Sequence, residues 1–192
     1  MLWTEYRYKK EDYRQLLNVL RQPNKYRYGL LVEECSLKGT PTKFKVLKLP
    51  EGYLILSRDP KRRGLKELID LKERSLKLIP YILFIPHKQE RIRLQVNRDY
   101  LRLLLKRIRN ISSSAYWYGS KRKFLKDYLK AVNNIVREAN DLCSTCFVEP
   151  ESIHAFNRKL RQIVFRYITS VLGLKAKKAR RVIKAYLTTL KH

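Results

Sequence analysis

The alternation of apolar and polar positions in the first half of the chain predicts a mixed α and β unit. Two short alternating segments, residues 42–49 and 52–58, flank a Pro-Glu-Gly turn, and this pattern is typical of a β-hairpin. A third strand is predicted just before the hairpin, over residues 26–34. The full predicted order is a helix from Glu11 to Pro23, the three strands, a helix over residues 63–77, a strand over residues 80–85, an R-x-R strand and a helix over residues 98–110.

The second half of the chain shows helical spacing only. Between the halves, serines and Gly119 mark residues 112–120 as a linker. Helices are predicted over residues 121–141, 152–172 and 176–190, with Gly173 ending the second. The predicted organisation is an α/β domain over residues 1–111, the linker over residues 112–120 and a basic α-helical extension over residues 121–192.

The charge balance narrows the choice of partner. The chain has 44 Lys and Arg against 17 Asp and Glu, a net charge of +27, while its hydrophobic fraction of 44% is that of a globular protein. Such a surplus repels itself in a compact fold unless a polyanion is normally present. Nucleic acid is the first candidate and an anionic membrane the second. The longest apolar run, residues 78–86, is too short to span a bilayer, so we predict no membrane span.

The start of the chain and the number of cysteines bear on whether the protein is secreted. The start of the chain has no apolar segment of the kind found in signal peptides, so none is predicted. Three cysteines, an odd number, do not suggest the disulfide framework of a secreted protein.

The basic residues cluster in stretches that lack acids. Residues 101–126 contain no Asp or Glu, and residues 152–192 contain 11 Lys and Arg and no acid. One helix face of this kind is often simply solvated, but several in one chain favour contact with phosphates. No zinc-finger spacing is present, and the last two helices only loosely resemble a helix-turn-helix, so little base recognition is expected. The predicted nucleic-acid-binding residues are Arg98, Arg102, Lys106, Arg109, Lys121, Arg122, Lys123, Lys126, Lys130, Arg137, Arg158, Arg161, Lys177, Arg180, Arg181 and Lys184.

The predicted order of elements resembles the core of the PD-(D/E)xK nucleases. Residues 10–111 are most similar to the RecB-like nucleases associated with CRISPR spacer acquisition. Gly39 matches that family, but Thr42 stands where a metal-binding aspartate belongs, and Ser57-Arg58-Asp59 stands where E-x-K belongs. The predicted helix over residues 63–77 also lacks the family's Gln and Tyr. The resemblance therefore implies a nuclease scaffold without catalytic residues, and we predict that the chain is not an enzyme.

The segment Asp59-Pro60-Lys61 has D-x-K spacing and is a candidate remnant of a nuclease site. Magnesium-assisted hydrolysis needs at least two convergent carboxylates, and Thr42 removes the partner of Asp59. Proline between the two residues would also end the strand that should present them. An active nuclease is therefore the disfavoured alternative.

Cysteine and histidine positions do not predict a metal site. Cys143 and Cys146 form a C-x-x-C pair, whereas the family binds an iron–sulfur cluster through four cysteines, and only Cys35 could join them. We predict an incidental thiol pair and no cofactor. The three histidines are predicted to be surface residues, in a turn, at a helix start and at the end of the sequence: His87, His154 and His192.

The resemblance also indicates a biological setting. Inactivated members of this family resemble nucleocapsid proteins of filamentous viruses that infect hyperthermophilic archaea. This implies a structural protein that packages linear double-stranded DNA in a helical virion nucleocapsid, with further copies or a paralogous coat subunit as partners. Two alternatives stay open: a cytoplasmic, nucleoid-associated DNA-binding protein of architectural or regulatory type, and a residual nuclease. The choice between DNA and RNA also stays open.

Overall fold

The computed structural model describes residues 7–22, 26–33, 44–59, 68–114 and 121–190, without the side chains of residues 113, 114 and 121–123. Within these residues the predicted α+β class is confirmed, with five α-helices and two antiparallel sheets. The strands are Tyr28–Val32 (β1), Phe44–Leu49 (β2), Gly52–Ser57 (β3), Ile69–Asp70 (β4), Leu76–Lys77 (β5), Tyr81–Phe84 (β6) and Arg93–Val96 (β7). The helices are a 3-10 turn at Lys10–Tyr13, then Arg14–Arg21 (α1), Arg98–Ser114 (α2), Lys121–Cys143 (α3), Pro150–Ser170 (α4) and Ala176–Tyr186 (α5).

The chain divides into two compact units, Met1–Asn97 and Arg98–His192. This division differs from the predicted linker over residues 112–120, because α2 continues to Ser114 and packs on α3 and α4. The apolar stripe of α2, which includes the buried Leu104 and Ile108, therefore belongs to a helical core. We refer to the two parts as the strand unit and the helical unit.

The predicted hairpin is confirmed and forms the centre of the first sheet. β2 pairs with β3 antiparallel, with Leu49 opposite Gly52, and β1 and then β4 follow in the order β2-β3-β1-β4. Gly52 adopts a φ of +138°, and a Cβ at this position would lie 2.3 Å from the carbonyl oxygen of Val32. Only glycine allows the start of β3 to approach β1 so closely.

The predicted helix over residues 63–77 is wrong where the structure describes it, because residues 68–77 form β4, a turn and β5. Asp70 accepts bonds from the Arg27 guanidinium, at 3.0 Å from Nε to Oδ1. Its carboxylate also accepts the backbone N–H of Lys72 at 3.0 Å, which fixes the turn after β4. Residues 63–67 lie outside the described ranges.

The second sheet has the order β5-β6-β7 and confirms the predicted strand over residues 80–85. The turn between β6 and β7 places Lys88 at a φ of +67°. Near the start of β6, the edge of the Tyr81 ring packs on Tyr13, with ring centres 5.2 Å apart. Glu51, in the hairpin turn, accepts the hydroxyl of Tyr13 at 2.8 Å and the backbone N–H of Ile79 at 3.1 Å. One carboxylate therefore joins the 3-10 turn, the hairpin and the approach to β6.

The helical unit confirms the predicted helices but corrects the end of the last one. α5 ends at Tyr186, and residues 187–190, named here the C-terminal strap, are not helical. Tyr186 is 67% exposed, whereas Leu190 is buried although it lies outside the helix. Two adjacent β-branched residues, Thr188 and Thr189, weaken helix propensity at this point. Among the described helices, none is long and apolar enough to cross a membrane.

The close approach of Gly52 to β1 predicts a large effect of one methyl group. Gly52→Ala should lower the free energy of unfolding by roughly 3 kcal/mol, because both its φ and the Val32 carbonyl oppose a Cβ. Gly173→Ala is the control, since Gly173 has a φ of +63° but no atom within 4 Å of the added Cβ, and about 1 kcal/mol is expected there. Urea unfolding measures both losses. Equal losses in the two variants would contradict the proposed clash.

The contact between Arg27 and Asp70 predicts a pH dependence of stability. Hydrogen bonds from the Arg27 guanidinium hold the pKa of Asp70 below its ordinary value. The unfolded state therefore binds more protons in mildly acidic solution, so this contribution is complete above the unfolded pKa of about 4 and is lost as the pH falls through the folded pKa. Asp70→Asn should make the free energy of unfolding less dependent on pH below about pH 5. Glu73→Gln, an exposed change in the same turn, should keep the wild-type slope.

Candidate nucleic-acid interface

The helical unit carries most of the positive charge and uses half of its acids in ion pairs with arginine. Residues 98–192 contain 22 Lys and Arg against only 6 Asp and Glu. Three of these acids pair with arginines: Glu149 with Arg98, Asp99 with Arg102, and Glu138 with Arg107. No acid occurs after residue 151, so the cations of α4 and α5 lack acidic neighbours along the chain. None of the cations of α4 and α5 makes an ion pair with a residue that the structure describes.

α4 lies between two grooves because it packs on α2 along one side and on α5 along the other. Its buried side includes Phe156, Leu160 and Val164, which share one helical face. The remaining face is exposed and carries cations on both flanks. These cations are Arg158, Lys159, Arg161 and Arg166.

The groove between α4 and α5, named the α4/α5 groove, has a volume of about 680 Å³. It brings together three of the predicted binding residues: Arg161 from α4, and Arg180 and Lys184 from α5. Phe165 lies in its floor, and the guanidinium carbon of Arg180 is 5.9 Å from the centre of that ring. Three uncompensated cations around a partly apolar floor make this groove suited to an anion.

A second groove, the α2/α4 groove, has a volume of about 380 Å³ and brings together Arg98, Arg102 and Arg158. Its charge is weaker, because Arg98 and Arg102 are ion-paired and Glu151 also lines the groove. The attraction of this groove for an anion is therefore partly offset by its own acids.

The other predicted binding residues do not line either groove. Lys177 and Arg181 share the exposed side of α5 with Lys184, but neither of them lines the α4/α5 groove. The exposed residues outside both grooves are Lys106, Arg109, Lys126, Lys130, Arg137, Lys177 and Arg181. The side chains of Lys121, Arg122 and Lys123 lie outside the described part of the structure.

Among the groove residues that the sequence analysis missed, one is a cation and one is aromatic. Lys159 lines the α2/α4 groove, and Phe165 lies in the α4/α5 groove. Phe165 follows Arg161 by one helical turn, and an aromatic residue at that spacing on a basic face is the signal that would have identified it. Lys159 gave no separate signal, because its place depends on which side of α4 meets α2.

The positions that correspond to the nuclease motif are described only in part. Ser57 is buried, and its hydroxyl donates to the carbonyl of Asp59 at 2.8 Å and accepts the N–H of Asp59 at 3.1 Å. The side chain therefore closes a local turn. Gly39, Thr42 and Lys61 lie outside the described residues. No group of three or more His, Cys, Asp or Glu suited to a metal occurs among the described residues, and the lack of nuclease activity stays a prediction.

The C-x-x-C pair lies at the end of α3 as two free thiols. Burial raises the pKa of Cys143 to about 11 and that of Cys146 to about 12. Both thiols are therefore protonated at neutral pH, and a metal would have to displace both protons. Cys35 lies outside the described residues, so the absence of a cofactor also stays a prediction.

Two of the histidines, His87 and His154, are exposed as predicted, whereas His192 lies outside the described residues.

No protein-family model and no curated protein matches this sequence. The function is therefore inferred from the charge and geometry of the chain itself.

Two neighbouring cations of α2 differ in their expected contribution to stability. The side chain of Arg107 is 17% exposed and that of Glu138 is 11% exposed, with 2.9 Å between them. Glu138 also accepts the hydroxyl of Tyr100 at 2.6 Å. Arg107→Met leaves the Glu138 carboxylate with the Tyr100 hydroxyl but without the Arg107 cation. This change should lower the free energy of unfolding by about 2 to 4 kcal/mol. Lys106→Met, at an exposed position, should change it by less than about 0.5 kcal/mol. Chemical denaturation of both variants tests whether Arg107 is a structural cation.

Proposed function

We propose that this protein coats duplex DNA through contacts to phosphates, and that the α4/α5 groove is the main contact surface. The observation that carries the proposal is the arrangement of Arg161, Arg180 and Lys184 around one groove without an acid. By contrast, Arg27 is neutralised by Asp70 and Arg107 by Glu138. Uncompensated cations in one place repel each other, and a bound polyanion removes that repulsion.

Contacts to phosphates rather than to bases account for the types and positions of these residues. The cations lie on three helices and line two grooves, which suits a charged surface that follows a backbone. The helical unit has 22 basic and 6 acidic residues, so it can neutralise at most about 16 phosphates, or roughly 8 base pairs. The whole chain, at +27, sets an upper limit of about 13 base pairs for each subunit.

The proposed setting is a helical virion nucleocapsid, in which many copies cover linear DNA. Its basis is the resemblance of residues 10–111 to inactivated nucleases and to nucleocapsid proteins of archaeal filamentous viruses. The β2–β3 hairpin supports the nuclease-like scaffold. The strands and turn at residues 68–77, where the scaffold has a helix, do not. The coating function itself depends on the helical unit and does not require that ancestry.

A matched pair of triple variants tests where DNA binds. Arg161, Arg180 and Lys184 changed together to Gln should reduce the slope of log K against log salt concentration by about 3, because three phosphate contacts are lost. Lys126, Lys130 and Arg137 changed to Gln remove the same charge from α3, outside both grooves, and should change the slope by less than 1. Fluorescence anisotropy with unrelated duplexes at several salt concentrations measures the slopes. Equal reductions would mean that net charge, and not this groove, determines binding.

The same titrations separate the proposed coat from its alternatives. Continuous protection of long duplexes against nuclease digestion, with at most about 13 base pairs for each subunit, is expected of a coat. One discrete footprint at a preferred sequence would instead identify a regulator. Cleavage of DNA that needs magnesium or manganese and is lost in Asp59→Ala would identify a residual nuclease.

A further inference from the structure

The C-terminal strap is held to the helical unit through its backbone by three asparagine side chains. Asn133 of α3 donates to the carbonyl of Tyr186 at 2.8 Å and accepts the N–H of Thr188 at 2.9 Å. Asn157 of α4 donates to the carbonyl of Leu190 at 3.1 Å and accepts the N–H of the same residue at 2.9 Å. Asn140 adds a bond to the carbonyl of Thr189 at 3.3 Å. We name these three residues the asparagine clamp.

Asparagine is well suited to this contact because its amide carries both a donor and an acceptor. A backbone that leaves a helix exposes carbonyl and N–H groups without helical partners. The last helical bond of α5 joins the N–H of Leu187 to the carbonyl of Ile183. Beyond it, the clamp supplies the partners that a continued helix would have supplied.

The position of α5 depends on the clamp because its own packing is weak. Ala179 is the one fully buried residue of α5, while Val182 and Ile183 are half-buried. The cations of α5 also repel Arg161 across the α4/α5 groove, where no acid offsets them. Apolar burial of this size is small, so the hydrogen bonds of the strap and the burial of Leu190 contribute much of what keeps α5 in place.

The strap also forms part of the groove itself. Leu187 and Thr189 line the α4/α5 groove together with Arg180 and Lys184. We infer that Asn133 and Asn157 are positioning residues for nucleic-acid binding: through the strap they hold the two α5 cations opposite Arg161, and they contact no phosphate themselves. This inference rests on the proposed function and identifies neutral residues on which that function depends.

The test compares neighbouring asparagines of α3. Asn133→Ala removes two bonds to the strap, whereas Asn134→Ala alters the next residue, whose side chain is exposed and makes no hydrogen bond with a described residue. Asn157→Ala is the corresponding change in α4. Neither clamp variant alters the charge of the protein. Amide hydrogen exchange of α5 in the free protein should become about tenfold faster in both clamp variants and stay unchanged in Asn134→Ala.

The second measurement is the salt dependence of duplex binding by the same full-length variants. The slope of log K against log salt concentration should fall by about 2 in the clamp variants, as if Arg180 and Lys184 had been removed. A reduced slope without loss of charge distinguishes positioning from general destabilisation, since the protein that remains folded keeps every cation. Asn134→Ala should keep the wild-type slope.

Thr188→Pro offers an independent route if a substitution in α3 or α4 impairs folding. Proline removes the N–H that bonds to Asn133, and the backbone of the preceding Leu187 is already extended, with φ −86° and ψ 118°. The same loss of slope and the same faster exchange in α5 are expected.

The outcomes separate this inference from the proposed function. If the wild type binds duplex DNA with a steep salt dependence but the clamp variants keep that slope, the positioning role is wrong and the proposed function stands. Unchanged exchange in α5 would equally overturn the positioning role. If the wild type binds no duplex at any salt concentration, the proposed function fails, and the positioning role fails with it.

Discussion

Repulsion between like charges is the constraint on which the arrangement of the helical unit depends. Its acids are few and occur before residue 152, where three of them neutralise arginines near the starts of α2 and α4 and between α2 and α3. After Glu151, in the first turn of α4, no acid is available. The fold there relies on neutral interactions, namely a buried apolar face on α4 and asparagine bonds to the strap. A surface built in this way keeps its charge available for an external anion.

The strand unit uses its carboxylates differently. Glu51 and Asp70 are each bonded to more than one element, so both serve the fold and not an external ligand. The close approach of Gly52 to Val32 adds a steric requirement at the same hairpin. The strand unit is therefore fixed by specific short contacts, whereas the helical unit combines apolar packing with an exposed basic face.

Much of this architecture could be predicted from local sequence patterns. The hairpin was predictable because a Pro-Glu-Gly turn lies between alternating segments, and the long helices were predictable because their apolar period persists over many turns. The exposure of Arg161, Arg180 and Lys184 followed from that same period. That these three residues line one groove could not be predicted, because sequence periodicity defines the faces of a helix but not the neighbours that those faces contact.

The errors arose where distant residues decide the local structure. Residues 68–77 contain apolar positions whose spacing fits a helix or short strands, and the strands form around the contact of Asp70 with Arg27, 43 positions earlier in the chain. The end of α5 depends in the same way on Asn133 and Asn157. A window of ten residues contains none of this information. The division of the chain at residue 97 was not predictable from local patterns either, because the apolar stripe of α2 gave no indication of whether a sheet or helices would cover it.

The asparagine clamp has a consequence for how such proteins diverge. Because the clamp bonds to main-chain atoms, it places little demand on the side chains of Leu187, Thr188 and Thr189, and only Leu190 is buried. Mutations can therefore accumulate in the strap while its path is retained. We expect related chains to preserve the spacing of the three asparagines on α3 and α4 better than the amino-acid sequence of the strap.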